Sequence, residues 1–523
     1  MRRWFLFCYF IVILTSAYSQ KTPTRPNILI CISDDQSFPH TSAYGTDWVN
    51  TPGFDRVARE GILFMNAYTP NAKCSPSRSC IITGRNSWQL EEAANHVPFF
   101  PEKYVTYAEA LKEAGYRTGY TGKGWAPGDP GTMNGQRREL LGSNYSALKT
   151  TPPAKYISGT DYSANFEAFL EGNNGDEPFC FWYGGHEPHR RYEYGAGINK
   201  AGKKLTDIDD VFEFWPDNDT VRTDILDYAF EIEYFDQHLV RILEILEDQG
   251  QLENTIVVVT SDNGMPFPRV KGQSYEHSNH LPLAIMWKNG ISDPGRSYDP
   301  FVSFTDFAPT FLDAAGVNGE HYGMQPMEGN SLVPVFQNRS DPNQRDFMVI
   351  GKERHDLGRP EDTGYPIRGI VQDSHLYLIN YKPNRWPAGN PETGYMNTDG
   401  SPTKTMILNE RRLKDQSLYW QWNFGKRDGE ELYDLARDPD CVHDLSGQDS
   451  YQPLKEKLKS LLLRELREEG DPRVFGNGDI FEEYNYSEER NRHFYERFIR
   501  GDDIKAGWIN PSDIEKQSIN ERP

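Results

Sequence analysis

Two continuous apolar runs constrain the fold more than any other feature of this sequence. Residues 27–33 read NILICIS and residues 255–260 read TIVVVT. Because apolar and polar side chains do not alternate, both runs are typical of strands buried on both faces, as in a parallel sheet covered by helices. Residues 178–183 and 117–120 predict further strands of this kind. The sequence therefore predicts a mostly parallel central sheet.

Helical patterns lie between the predicted strands. Thr106 and Glu109 form a capping box, and the helix that it opens is expected to end at Gly115. A longer amphipathic helix is predicted from about 223 to 249, where apolar residues recur at helical spacing. Alternation of strands and helices indicates an α/β domain whose functional residues lie at the carboxyl ends of the strands.

The pattern changes in the last third of the chain. Residues 367–381 predict two short strands around a polar turn, and residues 454–468 predict a leucine-rich helix. We expect a smaller C-terminal α+β domain with a short antiparallel sheet. The predicted division is a signal peptide at 1–19, the main α/β domain at 20–350 and the smaller domain at 351–523, which is expected to contribute to substrate binding.

The first residues resemble an export signal. Arg2 and Arg3 precede an apolar run at 4–14, and Ala17 and Ser19 bracket a plausible cleavage point. This run is too short to span a membrane as a helix, and no later segment predicts a membrane span. We therefore predict a secreted or periplasmic protein.

Charge and cysteine usage exclude several classes of protein. The chain has 56 Lys and Arg against 77 Asp and Glu, a formal charge of −21. This argues against a nucleic-acid or membrane-surface binder, which needs a basic face. Of six cysteines, Cys8 lies in the predicted signal, and the other five show no C-x-x-C spacing. They indicate neither a disulfide scaffold nor a zinc site, and we expect Cys31 and Cys180 to be buried in strands.

The two apolar runs end alike. Asp34 and Asp35 follow the first run and its Ser33, whereas Asp262 and Asn263 follow the second. Three carboxylates and an amide at one edge of a parallel sheet would repel one another unless a hard cation lay between them. Oxygen ligands alone favour Ca²⁺ or Mg²⁺ over zinc. The alternative is that these residues cap strand-to-helix turns.

Residues 74–85 read CSPSRSCIITGR. This segment closely resembles the signature of the sulfatase family, C-x-P-S-R followed by T-G-R. The resemblance implies an alkaline-phosphatase-like sandwich in which a large, mostly parallel sheet is flanked by helices, with residues 20–350 as the catalytic domain. It also implies that a maturation enzyme oxidises Cys74 to formylglycine. One hydroxyl of the aldehyde hydrate would then attack sulfur, and deprotonation of the second would expel sulfate.

The resemblance assigns roles to residues along the chain. It implies one Ca²⁺ bound by Asp34, Asp35, Asp262 and Asn263 together with position 74. The implied catalytic residues besides Cys74 are Arg78, Lys123, His186 and Lys271, of which Lys123, His186 and Lys271 also bind the sulfated substrate. One departure is Trp125, because the family usually has a histidine two residues after the lysine. His40, His189 or His277 would be the substitute for it, and His189 is also a candidate for substrate binding.

Within the family, residues 184–190 and 263–268 look most like the branch of heparan N-sulfatase (sulfamidase) and bacterial polysaccharide sulfatases, including ulvan sulfatases. We therefore expect a sulfated carbohydrate substrate. Arg354 and His355 are candidates for binding a uronate or a neighbouring sulfate, and Trp386 for stacking on a sugar. The sequence leaves open the sugar, O- or N-sulfate, and the oligomeric state.

Two alternatives remain at this stage. One is a metal-dependent phosphatase or phosphodiesterase, whose superfamily shares the sheet and the aspartate-rich metal site. Such enzymes use Ser or Thr as the nucleophile, which Cys74 and Arg78 argue against. The other is a secreted glycan-binding protein that has lost catalysis. Trp125, which stands in place of the usual histidine, is the reason to consider it.

Overall fold

A computed structural model describes residues 25–133, 135–172, 177–340, 343–414, 417–516 and 519. The predicted signal peptide at 1–19 lies outside the described residues. The strands are β1 (Asn27–Ser33), β2 (Ile62–Tyr68), β3 (Arg117–Gly122), β4 (Thr132–Met133), β5 (Gln136–Arg137), β6 (Ser143–Asn144), β7 (Phe179–Gly184), β8 (Thr255–Ser261), β9 (His280–Met286), β10 (Arg296–Tyr298), β11 (Val302–Ser303), β12 (Phe347–Lys352), β13 (Ile367–Gln372), β14 (His375–Asn380) and β15 (Glu430–Asp434).

The α-helices are α1 (Pro52–Glu60), α2 (Cys74–Thr83), α3 (Tyr107–Glu113), α4 (Tyr162–Glu171), α5 (Ala196–Asn199), α6 (Asp219–Asp248), α7 (Glu276–Asn279), α8 (Phe307–Ala315), α9 (Val333–Phe336), α10 (Pro402–Leu413), α11 (Leu418–Phe424), α12 (Gln452–Glu468), α13 (Ile480–Glu483) and α14 (Phe494–Arg500). Among the described residues, none of the helices is both long enough and apolar enough to cross a membrane.

The large sheet has the strand order β10-β2-β9-β8-β1-β7-β3-β6, with β11 beside β2. β1 lies at its centre and pairs in parallel with β7 and β8, whereas β9 runs antiparallel to both β8 and β2. Ile28 and Ile30 pack into the apolar cluster on one face of the sheet, and Leu29 and Cys31 into the cluster on the other. The prediction of a mostly parallel sheet covered on both faces is confirmed.

The predicted helices are confirmed with small changes at their ends. The Thr106 hydroxyl accepts from the Glu109 amide, so the capping box forms as expected. The long helix begins at Asp219, four residues before its predicted start, because the Asn218 side chain accepts from the Thr220 and Val221 amides and caps it. The capping asparagine precedes the apolar stripe, which is why periodicity alone placed the start too late.

The smaller sheet is antiparallel, in the order β12-β13-β14-β15. It begins at Phe347, a few residues before the predicted boundary at 350. A buried ion-pair network holds it: Arg368 Nη2 donates to Glu353 Oε1 at 2.7 Å and Nε to Asp471 Oδ2 at 2.8 Å. The Arg368 guanidinium also lies over the ring of Trp88, 5.1 Å from its centroid. The network therefore joins the small sheet to the segment after α2.

We expect Arg368→Ala to destabilise the protein strongly, because it leaves the buried carboxylate of Asp471 without its cation, whereas Glu353 keeps its ion pair with Arg473. Breaking such a buried pair costs roughly 3–5 kcal/mol. Urea denaturation followed by circular dichroism measures the loss. Arg437→Ala is the control, since the ion pair of this arginine with Asp434 is exposed and worth about 1 kcal/mol or less. Equal losses in the two variants would contradict the role of the network.

Candidate active site

The carboxyl ends of β1 and β8 bring the two predicted polar pairs together. The strands are in register with Ser33 opposite Ser261, so the residues that follow them emerge side by side. The Asp35 amide donates to Asp262 Oδ1 at 3.1 Å, and Asn263 Nδ2 donates to Asp35 Oδ1 at 2.7 Å. The expectation that both pairs meet at one edge of the sheet is therefore correct.

Cys74 is the first residue of α2 and faces the same edge. Its thiol lies 3.7 Å from Asp34 Oδ1 and 4.0 Å from Asp35 Oδ1. The sulfur and one oxygen each of Asp34 and Asp262 lie within 4.8 Å of one another. Burial, only partly offset by Lys123, raises the pKa of the Cys74 thiol to about 12. Because the thiolate is the reactive form of cysteine, the unmodified side chain is a poor nucleophile at neutral pH.

Three cations neutralise the carboxylates, each through a short contact. Arg78 Nε donates to Asp262 Oδ2 at 2.8 Å, Lys123 Nζ to the two oxygens of Asp34 at 2.7 and 2.6 Å, and Lys271 Nζ to Asp35 Oδ2 at 2.6 Å. Burial alone would raise the pKa of Asp34, but Lys123 and the other nearby cations hold it well below its usual range. The site is thus a compact cluster of opposite charges with little access to water.

The donor set fits a hard cation. Asn263 Oδ1 is buried and has no hydrogen-bond partner among the described residues, while its Nδ2 donates to Asp35 Oδ1 and to the Gly264 carbonyl. An amide oxygen left unpaired in a buried site is costly unless a ligand satisfies it. Together with the neighbouring carboxylates it offers the oxygen ligands that Ca²⁺ or Mg²⁺ prefers.

The candidate histidines lie in different environments. His186 is exposed at the carboxyl end of β7, and His189 Nε2 lies 3.8 Å from Asp35 Oδ2. His40 is buried against the Tyr228 hydroxyl, and burial lowers its pKa to about 3. His277 hydrogen-bonds Asp440 at 2.8 Å. Of the three proposed substitutes for the missing histidine, His189 is the one that the structure places beside the carboxylate cluster.

Trp125 has a packing role. Its indole is 9 % exposed, lies edge-on to Phe100 and donates from Nε1 to Ser79 Oγ at 2.8 Å. Ser79 belongs to α2, and the neighbouring Lys123 and Gly124 carbonyls accept from Arg78. Trp125 therefore holds the loop after β3 against the helix that carries Cys74.

Asp399 is a site residue that the sequence interpretation missed. Its Oδ2 accepts from Lys271 Nζ at 3.0 Å, and it has an oxygen within 4.8 Å of the ligand atoms of Asp35 and His189. Burial opposes its ionisation, but Lys271 and the cations around it lower the pKa of Asp399. It lies in an irregular Pro- and Gly-rich stretch without periodicity. No sequence signal therefore marks Asp399, and only its contact with Lys271 in the folded chain identifies it.

The substrate-binding candidates of the C-terminal part do not lie on a solvated loop; they pack inside the protein. His355 is fully buried, and its ring nitrogens contact Asn71 Oδ1 at 2.8 Å and the Gly272 carbonyl at 3.2 Å. Arg354 is 3 % exposed, yet its Nε and Nη2 have no partner among the described residues. Trp386 packs edge-on to Trp420. Direct contact of these residues with a sugar stays a prediction.

The fold is an alkaline-phosphatase-like α/β architecture, with the carboxylates, cations and Cys74 gathered at one edge of its large sheet. A protein-family model described as Sulfatase matches residues 26–317. The chain belongs to the sulfatase family, the hydrolases of sulfuric esters. This supports the sulfatase interpretation over the phosphatase alternative.

Known relatives extend the match beyond that segment. The chain is 28% identical over 492 residues to N-sulphoglucosamine sulphohydrolase of Homo sapiens, covering 88% of this chain and 93% of the relative. It is 28% identical over 466 residues to an ulvan-active sulfatase of Formosa agariphila, covering 87% and 82%. A solved structure of a protein bound to its substrate D-glucosamine-2-N,6-O-disulfate shares the fold, with a TM-score of 0.60 at 22% identity, covering 86% of this chain and 98% of the other.

We expect Asp399→Asn to raise the KM for a small aryl sulfate about tenfold, the effect of losing one charged hydrogen bond. Lys271 would keep its contact with Asp35 but lose the second anchor that orients it. Inhibition by free sulfate should weaken in parallel, and steady-state kinetics measure both quantities.

Asp513→Asn is the matched control for this variant. Asp513 is also buried beside a lysine, Lys404, at 3.4 Å, but it does not contact the carboxylate cluster. An unchanged KM in Asp399→Asn, or the same rise in Asp513→Asn, would show that Asp399 does not position Lys271.

Proposed function

We propose that this chain is an exported, formylglycine- and Ca²⁺-dependent sulfatase that removes sulfate groups from a sulfated polysaccharide or oligosaccharide of the heparan or ulvan type. The single observation that carries the proposal is the placement of Cys74. It starts a helix beside Asp34, Asp35 and Asp262, where a helix N-terminus favours anions.

The proposal gives each nearby group a task. Formylglycine at position 74 would supply the hydroxyl that attacks sulfur, and Ca²⁺ held by Asp34, Asp35, Asp262 and Asn263 would stabilise negative charge. Arg78, Lys123 and Lys271 would bind the sulfate oxygens, each contributing up to about 3–4 kcal/mol if it acts like other preorganised donors. His186, exposed near the same edge, would face the leaving-group oxygen.

Two kinds of observation support an anionic carbohydrate as substrate. The relatives that cover most of the chain include one named for sulphoglucosamine and one named for ulvan. In addition, two neighbouring residues carry buried polar atoms without a hydrogen-bond partner: Nε and Nη2 of Arg354, and Nε2 of His96. The two residues are in contact, because the His96 amide donates to the Arg354 carbonyl at 3.0 Å. An anionic group of the substrate would accept hydrogen bonds from the guanidinium of Arg354. His355 would orient Asn71 and the Gly272 carbonyl, which it contacts.

The domain organisation and cellular handling belong to the same proposal. Residues 20–350 would form the catalytic domain, and residues 351–523 would complete the substrate site through Asp399 and Arg354. Residues 1–19 would direct export. A formylglycine-generating enzyme would be the maturation partner.

The test is sulfate release from oligosaccharides of heparan, ulvan, carrageenan and chondroitin by protein made in a host with the maturation enzyme. We expect release from the heparan or ulvan members, and loss of at least about 10³-fold in kcat for Cys74→Ala because the nucleophile is gone. Ion chromatography measures the released sulfate.

Mass spectrometry of the peptide containing residue 74 is the companion measurement. Conversion to formylglycine replaces sulfur by oxygen and removes two hydrogens, a change that the intact peptide mass reveals. Only thiol at this position, with no sulfate released from any member of the set, would favour the catalytically inactive glycan-binding alternative.

We expect Ca²⁺ to stabilise the chelator-treated protein, because an ion that binds only the folded state shifts unfolding by about 2.7 kcal/mol at one hundred times its Kd. Thermal unfolding with and without Ca²⁺ measures the shift. Asn263→Ala should reduce it sharply, because it removes one ligand of the ion.

Asn279→Ala is the control for lost side-chain packing. Asn279 is also buried with an unpartnered Oδ1, and its Nδ2 donates to the Thr69 carbonyl at 2.8 Å. This variant should lose stability but keep the Ca²⁺-dependent shift. No shift in the wild-type chain would refute the calcium assignment.

A further inference from the structure

A cavity of about 420 Å³ lies beside the candidate active site. Its walls come from four segments: residues 190–194, Thr220, Asp224 and Asp227 of α6, residues 400–409, and Asn510. Its volume falls within the roughly 300–1,000 Å³ typical of small-molecule sites. None of the residues assigned to sulfate hydrolysis lines it.

Two walls of this cavity start at the active site itself. Arg190 follows His189, whose Nε2 lies 3.8 Å from Asp35, and Gly400 follows Asp399, which binds Lys271 at 3.0 Å. Each of these two walls therefore begins one residue after a residue of the carboxylate cluster.

The walls are fixed in place before any ligand binds. Arg190 donates to both oxygens of Asp224 at 2.7 and 2.8 Å and to the Pro266 carbonyl. The Thr403 hydroxyl donates to the same Asp224 carboxylate at 2.6 Å. Because Asp224 lies on α6, both walls are tied to one helix, and the cavity is preformed.

The charges that line the cavity are not equally available. Arg190 and Asp224 neutralise each other, and Asp227 lies beneath the surface, where the Gly195 and Gly197 amides donate to its carboxylate. Arg191 is exposed, forms no ion pair among the described residues, and donates at 3.3 Å to the Gly507 carbonyl. The accessible charge at the cavity is therefore positive.

Aromatic rings accompany this arginine. Tyr194 lines the cavity and is 57% exposed, and Tyr156, which is 60% exposed, lies beneath the Arg191 guanidinium at 5.7 Å. Exposed tyrosines beside a cation and hydroxyl or amide groups such as Thr405 and Asn409 are suited to a sugar ring, which stacks its apolar face and hydrogen-bonds its edge.

We propose that this cavity binds a second, anionic sugar unit of the carbohydrate chain whose sulfate lies at the carboxylate cluster, with Arg191 pairing its carboxylate or sulfate and Tyr194 stacking on its ring. The inference rests on the proposed function and deepens it. It makes the enzyme selective for oligosaccharides over single sugars.

The test measures binding rather than turnover, using Cys74→Ser so that no sulfate is released. Calorimetry compares a heparan sulfate tetrasaccharide and an ulvan tetrasaccharide with sulfated glucosamine. We expect one tetrasaccharide to bind about tenfold or more tightly than the monosaccharide. Arg191→Ala and Tyr194→Ala should each remove about fivefold or more of this gain, as losing a charged contact or a stacked ring implies, and added salt should weaken the Arg191-dependent part.

Arg437→Ala, in the same Cys74→Ser background, is the matched control and should leave every affinity unchanged. Thermal unfolding verifies that each variant is folded, and Tyr194→Ala tests the cavity independently should Arg191→Ala be unstable. Equal affinity for tetrasaccharides and monosaccharide, or a gain that both cavity variants retain, overturns the proposal. Absence of sulfate release by the wild-type enzyme would instead refute the proposed function, because the binding comparison does not depend on catalysis.

Discussion

The repulsion between Asp34, Asp35 and Asp262 at one buried edge is the constraint on which the rest of the structure depends. Carboxylates this close, out of contact with water, do not stay ionised together without compensating charge. Each compensating cation lies on a different part of the chain: Arg78 on α2, Lys123 after β3 and Lys271 after β8. The packing of these three segments around β1 is therefore also the assembly of the site.

The C-terminal part takes part in that assembly. Asp399 and Asp35 both bind Lys271, and His355 contacts the carbonyl of Gly272, the next residue after this lysine. The small sheet is anchored in turn through Arg368, which lies over Trp88 of the larger part. Ion pairing and hydrogen bonding thus bring residues of the C-terminal part to the edge of the carboxylate cluster.

The formal charge of −21 describes the solvated surface and not the pocket. At the cluster, Arg78, Lys123 and Lys271 offset the charge of the carboxylates that they contact, and these buried pairs are screened little by salt or water. Three of the 56 Lys and Arg residues lie at the cluster, and Arg191 lines the neighbouring cavity.

The sequence by itself determined the central strands, because continuous apolar runs have few alternatives, and the strand-end carboxylates, because parallel strands end at one edge. It did not indicate that β9 runs antiparallel, since strand direction depends on the connection and not on composition. Motif spacing identified Cys74 and Arg78. Only the tertiary structure decided the place of Asp399 and of the cavity beside Arg191: Asp399 lies on an irregular segment without periodicity, and the cavity forms where residues 190–194 and α10 pack beside α6.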